Sequence, residues 1–290
     1  MRKLLLAGAM LAAMAMPASA AAGPHAPTGE WADFDNCPLS KPTVKLCLYS
    51  ESTAGFVTTG SKTVPIKNPV ILQGGLEFPL DITENVTFVA AEDGNTLVKA
   101  PQPVPGGLLG VQAPSWWPSF LRNWFNETIN NGFTGVSATV ELAKPASAIK
   151  VNFLSLFIGE GTTMSLPVKI KLSNPFLGSN CYIGSSTQPI TFNLTVNKTS
   201  PPPPNQPIEG SIGEGSQNEN ETLLTINNPR LVDNAFAVPG ANGCGGIFSF
   251  LIDPFVDSIV GIPSPAGTNT AVLEGGRILT GDANEVRASE

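Results

Sequence analysis

A period of two runs through this chain, and it restricts the fold more than any other feature. Val44, Leu46 and Leu48 alternate with Lys45 and Cys47. The same spacing recurs at Val136, Ala138, Val140 and Leu142. It returns at Met164, Leu166, Val168, Ile170 and Leu172, with Thr163, Ser165, Lys169 and Lys171 between, and again at Ile190, Phe192, Leu194 and Val196. Side chains on a strand point alternately to its two faces, so each run predicts one buried and one wet face, the mark of antiparallel sheets. Shorter strands are expected near 54–59, 69–73, 86–91, 149–157 and 222–226. The turns such a chain needs are supplied by 29 Gly and 27 Pro, while only 13% of residues are charged and 42% are apolar. The fold class that follows is mainly β, with antiparallel sandwich-like sheets and one or two short helices.

Ser115–Gly132 breaks this pattern. Trp116, Trp117, Phe120, Leu121, Trp124, Phe125 and Ile129 fall on one broad stripe at helical spacing. Ser115 serves as N-cap, Pro118 falls in the first turn and Gly132 supplies the stop, which predicts an aromatic helix near 115–131. The stripe has two readings. Exposed, Trp116, Trp117 and Trp124 are candidate ligand contacts, stacking on sugar rings or sitting at a membrane interface. Buried, they fill the space between sheets, and the need for bulky filler in a chain poor in other aromatics favours this second reading.

Residues 1–20 read as a secretory signal: Arg2 and Lys3, an apolar run from Leu4 to Met16, and the small-x-small site Ala18-Ser19-Ala20. The segment Ile247–Ile262 is interrupted by Asp253, Pro254 and Asp257, so no integral membrane span is expected in the mature chain. Export makes the four cysteines, Cys37, Cys47, Cys181 and Cys244, two disulfides. Of three pairings, Cys37–Cys47 with Cys181–Cys244 is preferred, because local partners lose least entropy on meeting. The alternation places Cys47 opposite Leu46 and Leu48, so its bond is expected to pin an outer or edge surface.

Several pairs of residues recur at an offset of 134: Leu97-Val98 with Leu231-Val232, and Val104-Pro105-Gly106 with Val238-Pro239-Gly240. Each Val-Pro-Gly is followed by an apolar segment with an early proline and then a strand. This order predicts two similar β-rich halves, 37–143 and 144–275. A mobile lead-in over 21–36, a Pro-rich loop over 199–221 and a polar tail over 276–290 complete the expected organisation.

The single histidine, His25, lies in the lead-in, which leaves the expected folded body without an imidazole for Ser-His-Asp or Cys-His catalysis or for metal ligation. No P-loop, G-x-S-x-G elbow or C-x-x-C spacing occurs, and no cofactor is expected. A formal net charge of −7 with scattered lysines offers no basic stripe for nucleic acid. A carboxylate pair is the remaining catalytic option. Asp253 and Asp257 stand at i,i+4, but the simpler reading makes Asp253 a helix cap, Pro254 the first helical residue, and Asp257 a partner of the helix dipole.

The segments KLSNPFLGSNCYIGSSTQPITFNLT (171–195), VPGGLLG (104–110) and CLYSEST (47–53) resemble a family of secreted proteins of high-GC Gram-positive bacteria. The resemblance implies export and a β-rich fold, and it carries no catalytic residue across. The expectation is a secreted, non-catalytic binding or structural module of the envelope or extracellular space. Its partner would be an envelope polymer, a lipid surface or a protein. The alternatives are a carboxylate-dependent polysaccharide hydrolase and a membrane-surface binder using the tryptophan helix.

Overall fold

The structure is a computed structural model that describes residues 26–78, 86–109, 113–130, 134–152, 155 and 161–290, with 128–130 described by backbone alone. The signal at 1–20, His25, Gly132, the Ile129 side chain and most of the strand expected at 149–157 lie outside the described residues.

In chain order, a 3-10 turn at Gly29–Phe34 precedes β1 (Leu46–Ser52), β2 (Ala54–Thr59), β3 (Lys62–Pro65), β4 (Val70–Glu77), β5 (Thr87–Ala90) and β6 (Gln102–Pro103). Helix α1 (Ser119–Asn130) follows, then β7 (Ser137–Leu142), β8 (Lys150–Val151), β9 (Met164–Ser173), β10 (Tyr182–Ile183) and β11 (Ile190–Leu194). Next come β12 (Glu214–Gln217), β13 (Leu223–Asn227), β14 (Leu231–Asp233) and β15 (Ala241–Asn242). Helix α2 (Ser249–Val260), β16 (Thr270–Glu274), β17 (Arg277–Asp282) and α3 (Ala283–Ala288) complete the order.

Among the described residues these strands form three antiparallel sheets. One runs β12-β13-β17-β1-β4-β5, one runs β14-β16-β2-β3, and one runs β15-β10-β9-β7-β6 with β8 and β11 also paired to β9. The molecule is therefore mainly β, as the alternation predicts. The longest alternating run, β9, organises the third sheet, and its inward residues Met164, Leu166, Val168, Ile170 and Leu172 are all buried. They meet Leu48, Leu72 and Leu76 from the first sheet and Ala271 from the second in one continuous core. Gly55 lets β2 and β16 approach closely: it has a φ of +108°, and a Cβ there would overlap the Val272 carbonyl.

Four expectations need correction. The two proposed halves are not separate bodies, because every sheet mixes strands from both, for example β2 beside β16 and β7 beside β9. Recurrence is limited to the order strand, Val-Pro-Gly, apolar helix, returning strand: β6 pairs with β7 across α1, and β14 pairs with β16 across α2. Cys47 is not on an outer surface. It is fully buried on an interior strand, because a second, smaller core covers that face with Trp31, Phe34, Val89, Leu279 and Val286. The lead-in is consequently packed from Gly29 to Phe34, with Asp33 bonded to Arg277 at 2.8 Å. The polar tail is likewise ordered as β17 and α3, whose N-cap Asp282 accepts from the N–H groups of Asn284 and Glu285.

Both disulfides pair as preferred, Cys37–Cys47 and Cys181–Cys244, and such bonds belong to an oxidising compartment. No helix among the described residues is long and apolar enough to cross a membrane.

Candidate functional site

The aromatic helix does not fill the core. Trp116 is 79% exposed, Trp124 64%, and Phe120 and Leu121 also face outward. No side chain described in α1 is buried. The reading that favoured core packing is thereby overturned: β-branched and Leu side chains from three sheets already close the interior, and α1 lies outside them. The helix also starts later than its composition suggests. Trp117 N–H closes a turn on the Pro114 carbonyl, and the first helical bond runs from Arg122 N–H to Pro118 O at 3.0 Å, so Ser115 is not the cap. The Ser115 carbonyl instead accepts from the Arg122 guanidinium. Trp117 is half-buried because it stacks edge-on with Trp116 at 6.1 Å and Phe125 at 5.6 Å, a small aromatic cluster within the segment itself.

A second apolar segment is displayed in the same way. Ile247, Phe248, Phe250, Leu251 and Phe255 are exposed around the start and outer side of α2, Phe250 by 70%. Nine of the eleven exposed large apolar residues among those described fall in these two segments, so the apolar exposure is concentrated rather than scattered. Neither segment is basic: α1 carries Arg122 and Glu127, and α2 carries Asp253 and Asp257.

Those two aspartates have structural work. Helix α2 begins at Ser249, a turn before Asp253, which places Pro254 inside it and rules out Asp253 as its cap. Asp253 accepts from Gly243 N–H at 3.1 Å and Cys244 N–H at 2.8 Å, and Asp257 accepts from Ala241 N–H at 2.7 Å. The i,i+4 spacing does point both carboxylates one way, toward the β15 turn, where they fasten α2 beside Cys181–Cys244. With Val256 buried beneath, the inner side of α2 is fixed and its outer side is open.

Several other acids are similarly occupied. An open recess of about 540 Å³ is lined by Asp33, Asp35, Tyr49, Gln73, Asp93 and Lys99 among others. Asp33 holds Arg277, and Asp93 accepts from the N–H and side-chain amide of Asn95 in its own turn. Burial, then the carboxylates of Glu51 and Asp33, push the Tyr49 phenol up, so it stays neutral near pH 7. Glu141 lies 3.8 Å from both Lys99 and Lys169, and Glu274 pairs with Arg230 at 3.1 Å. Asp233 is nearly fully buried, which raises its pKa, while N–H groups of Ala235 and Asn193 stabilise the carboxylate. Apart from Asp35, which accepts from the Asn36 side-chain amide, these carboxylates hold backbone or a counter-charge, and Asp33 and Glu51 share Arg277, at 2.8 and 3.8 Å.

The interior holds a feature that composition did not reveal. A cavity of about 100 Å³ lies between the second and third sheets, lined by Val57, Val64, Val140, Leu166, Phe192 and Leu273 among others. A smaller one, about 40 Å³, abuts it beneath the inner side of α2. Comparison with known proteins finds no matching family model, curated relative or solved structure.

Proposed function

We propose that this protein is a secreted, non-catalytic binding module that attaches to a lipid surface outside the cell or at its envelope. The observation that carries the reading is the outward display of Phe120 and Trp124 on a helix with no described side chain in the core, and of Trp116 in the turn just before it. Tryptophan and phenylalanine are favoured where an apolar medium meets a polar one. The outer side of α2 adds Phe250, Leu251 and Phe255. Full burial of each such side chain is worth about 1.5–3 kcal/mol, so a few suffice for reversible attachment. With one arginine and one glutamate on α1, attraction to anionic headgroups contributes little, and attachment is apolar in origin.

Co-flotation with neutral phosphatidylcholine vesicles tests this. The protein floats with the vesicles, equally at low and high salt, and the variant Trp116→Ser/Phe120→Ser/Trp124→Ser stays in the bottom fraction. Wild-type protein left at the bottom, or a triple variant that floats as well as wild type, defeats the reading.

A further inference from the structure

We infer that an open polar recess beside the two outward apolar segments receives the phosphate of a phospholipid headgroup, with Lys171 as its cation. The inference rests on the lipid-surface reading and names the part of the lipid that is recognised. The recess, of about 580 Å³, is lined by Gly135, Lys171, Ser173, Asn174, Gly178 and Ser179 among others. Its wall is the turn that follows β9, and that turn is tied to both segments. Asn174 Nδ2 donates to the carbonyl of Gly135, on the path from α1 to β7, at 2.7 Å. Gly245 N–H, just before the exposed Ile247 and Phe248, donates to the Leu177 carbonyl at 2.8 Å. A Cβ on Gly178 would lie 3.8 Å from Gly246 N. The turn also displays Phe176, which is 50% exposed. Ten of the eleven exposed large apolar residues among those described therefore belong to this turn or to the two segments joined to it.

The lining decides what enters. Among the described lining residues, Lys171 is the one charged side chain. In the sheet Lys171 stands between Thr139 and Tyr182, with Nζ 6.0 Å from the centre of the Tyr182 ring. The acid on that face of β7, Glu141, stands opposite Lys169 and pairs with Lys99 and Lys169. Among the described residues no carboxylate lies within ion-pair distance of Lys171, and the exposed Ser173 and Ser179 hydroxyls have no protein hydrogen-bond partner. The recess thus offers donors and no carboxylate, which suits an anion and rejects a cation. An ammonium carries three donors as a compact point charge, a good match for the oxygens of a phosphate, and the two hydroxyls add donors beside it. Position selects the lipid. Apolar side chains of a surface-bound helix reach about 5–10 Å into the boundary between headgroups and acyl chains. A polar recess at the root of such segments then lies at the level of the headgroup phosphates. Phosphatidylcholine has no net charge, so this contact adds a headgroup preference while attachment stays apolar in origin.

The test compares partition constants, from lipid titrations, on two kinds of net-neutral vesicle: phosphatidylcholine, whose headgroup carries a phosphate, and digalactosyldiacylglycerol, whose headgroup carries none. Wild type binds phosphatidylcholine about threefold more tightly, the size of one partly exposed ion pair. Lys171→Met loses that preference and binds the galactolipid as wild type does, whereas Lys171→Arg keeps it. Equal binding of wild type to both vesicles, or a Lys171→Met variant that retains the preference, overturns the headgroup site and leaves surface attachment standing. Wild type that binds neither lipid defeats surface attachment and the headgroup site with it. Calorimetry with inorganic phosphate and no vesicles is expected to show no binding at micromolar concentration. Saturable binding there, lost in Lys171→Met, assigns the recess to a free anion and overturns the headgroup.

Discussion

Helices α1 and α2 present apolar faces to the outside, yet they are held in opposite ways. Helix α2 has Val256 in the core, two aspartates on the β15 turn and a disulfide at that turn. Helix α1 has none of these. Two of its side-chain bonds are local, Arg122 donating to the Ser115 carbonyl and Asn126 accepting from Ala113 N–H, and Phe125 stacks on Trp117 just before the helix. An apolar face on an anchored helix can be a by-product of burying its other side. An apolar face on a helix with no described side chain in the core has no such explanation, so α1 argues most directly for an external apolar partner.

The contrast sharpens into graded stability effects. Removing Cys181–Cys244 by paired alanines reopens a loop of sequence separation 63 and is expected to cost roughly 4 kcal/mol, against roughly 3 kcal/mol for Cys37–Cys47 with its separation of 10. Urea melts of the two double variants check both the size and the order. An equal or reversed order would contradict the loop-length account of the two bonds.

Asp233→Asn comes next, at about 1–3 kcal/mol, because an amide cannot accept from both Asn193 and Ala235 N–H groups. Burial raises the folded pKa of Asp233 above its unfolded value, so the folded state holds the proton more tightly. Its titration adds stability that is fully present below the ordinary carboxylate range and is lost as pH rises through the raised value. The penalty of Asp233→Asn is thus largest at acid pH and narrows to a plateau toward neutrality, as urea melts at a series of pH values would show.

Asp253→Ala leaves Gly243 and Cys244 N–H without their acceptor and is expected to lower stability by about 1–2 kcal/mol while loosening α2. Hydrogen exchange at those two amides reads the loosening directly. The smallest stability effect belongs to α1. Trp116→Ser/Phe120→Ser/Trp124→Ser changes stability by no more than about 0.5 kcal/mol per site, because exposed positions contribute little to folding. A large loss there would mean that α1 packs more firmly than its exposure indicates.

What the sequence revealed follows the same physics. Strand β2 falls at 54–59 as expected, and β9 and β11 are read from alternation, because each has a distinct buried face. Strand β17 was hidden: Ile278 and Leu279 are both buried, on opposite faces of a sheet covered on both sides, so no alternation marks it. The Asp282 cap, three residues before Glu285, was a legible start signal within the expected tail. Trp31 and Phe34 are too few to announce a packed turn, and only the second core gives them a place. The aromatic stripe of α1 was visible, but its medium was not, because an amphipathic pattern specifies a face without saying what covers it. The cavity between the second and third sheets left no sequence signal, since its walls are mostly ordinary strand valines and leucines.

The most direct test uses the tryptophans themselves. Three of the four lie at 116, 117 and 124, and the fourth, Trp31, is buried in the second core. In a Trp31→Phe background all emission comes from the α1 segment. On addition of neutral phosphatidylcholine vesicles, that emission shifts to shorter wavelength and becomes protected from acrylamide quenching. Emission that stays unshifted and fully quenchable at saturating lipid would contradict the account.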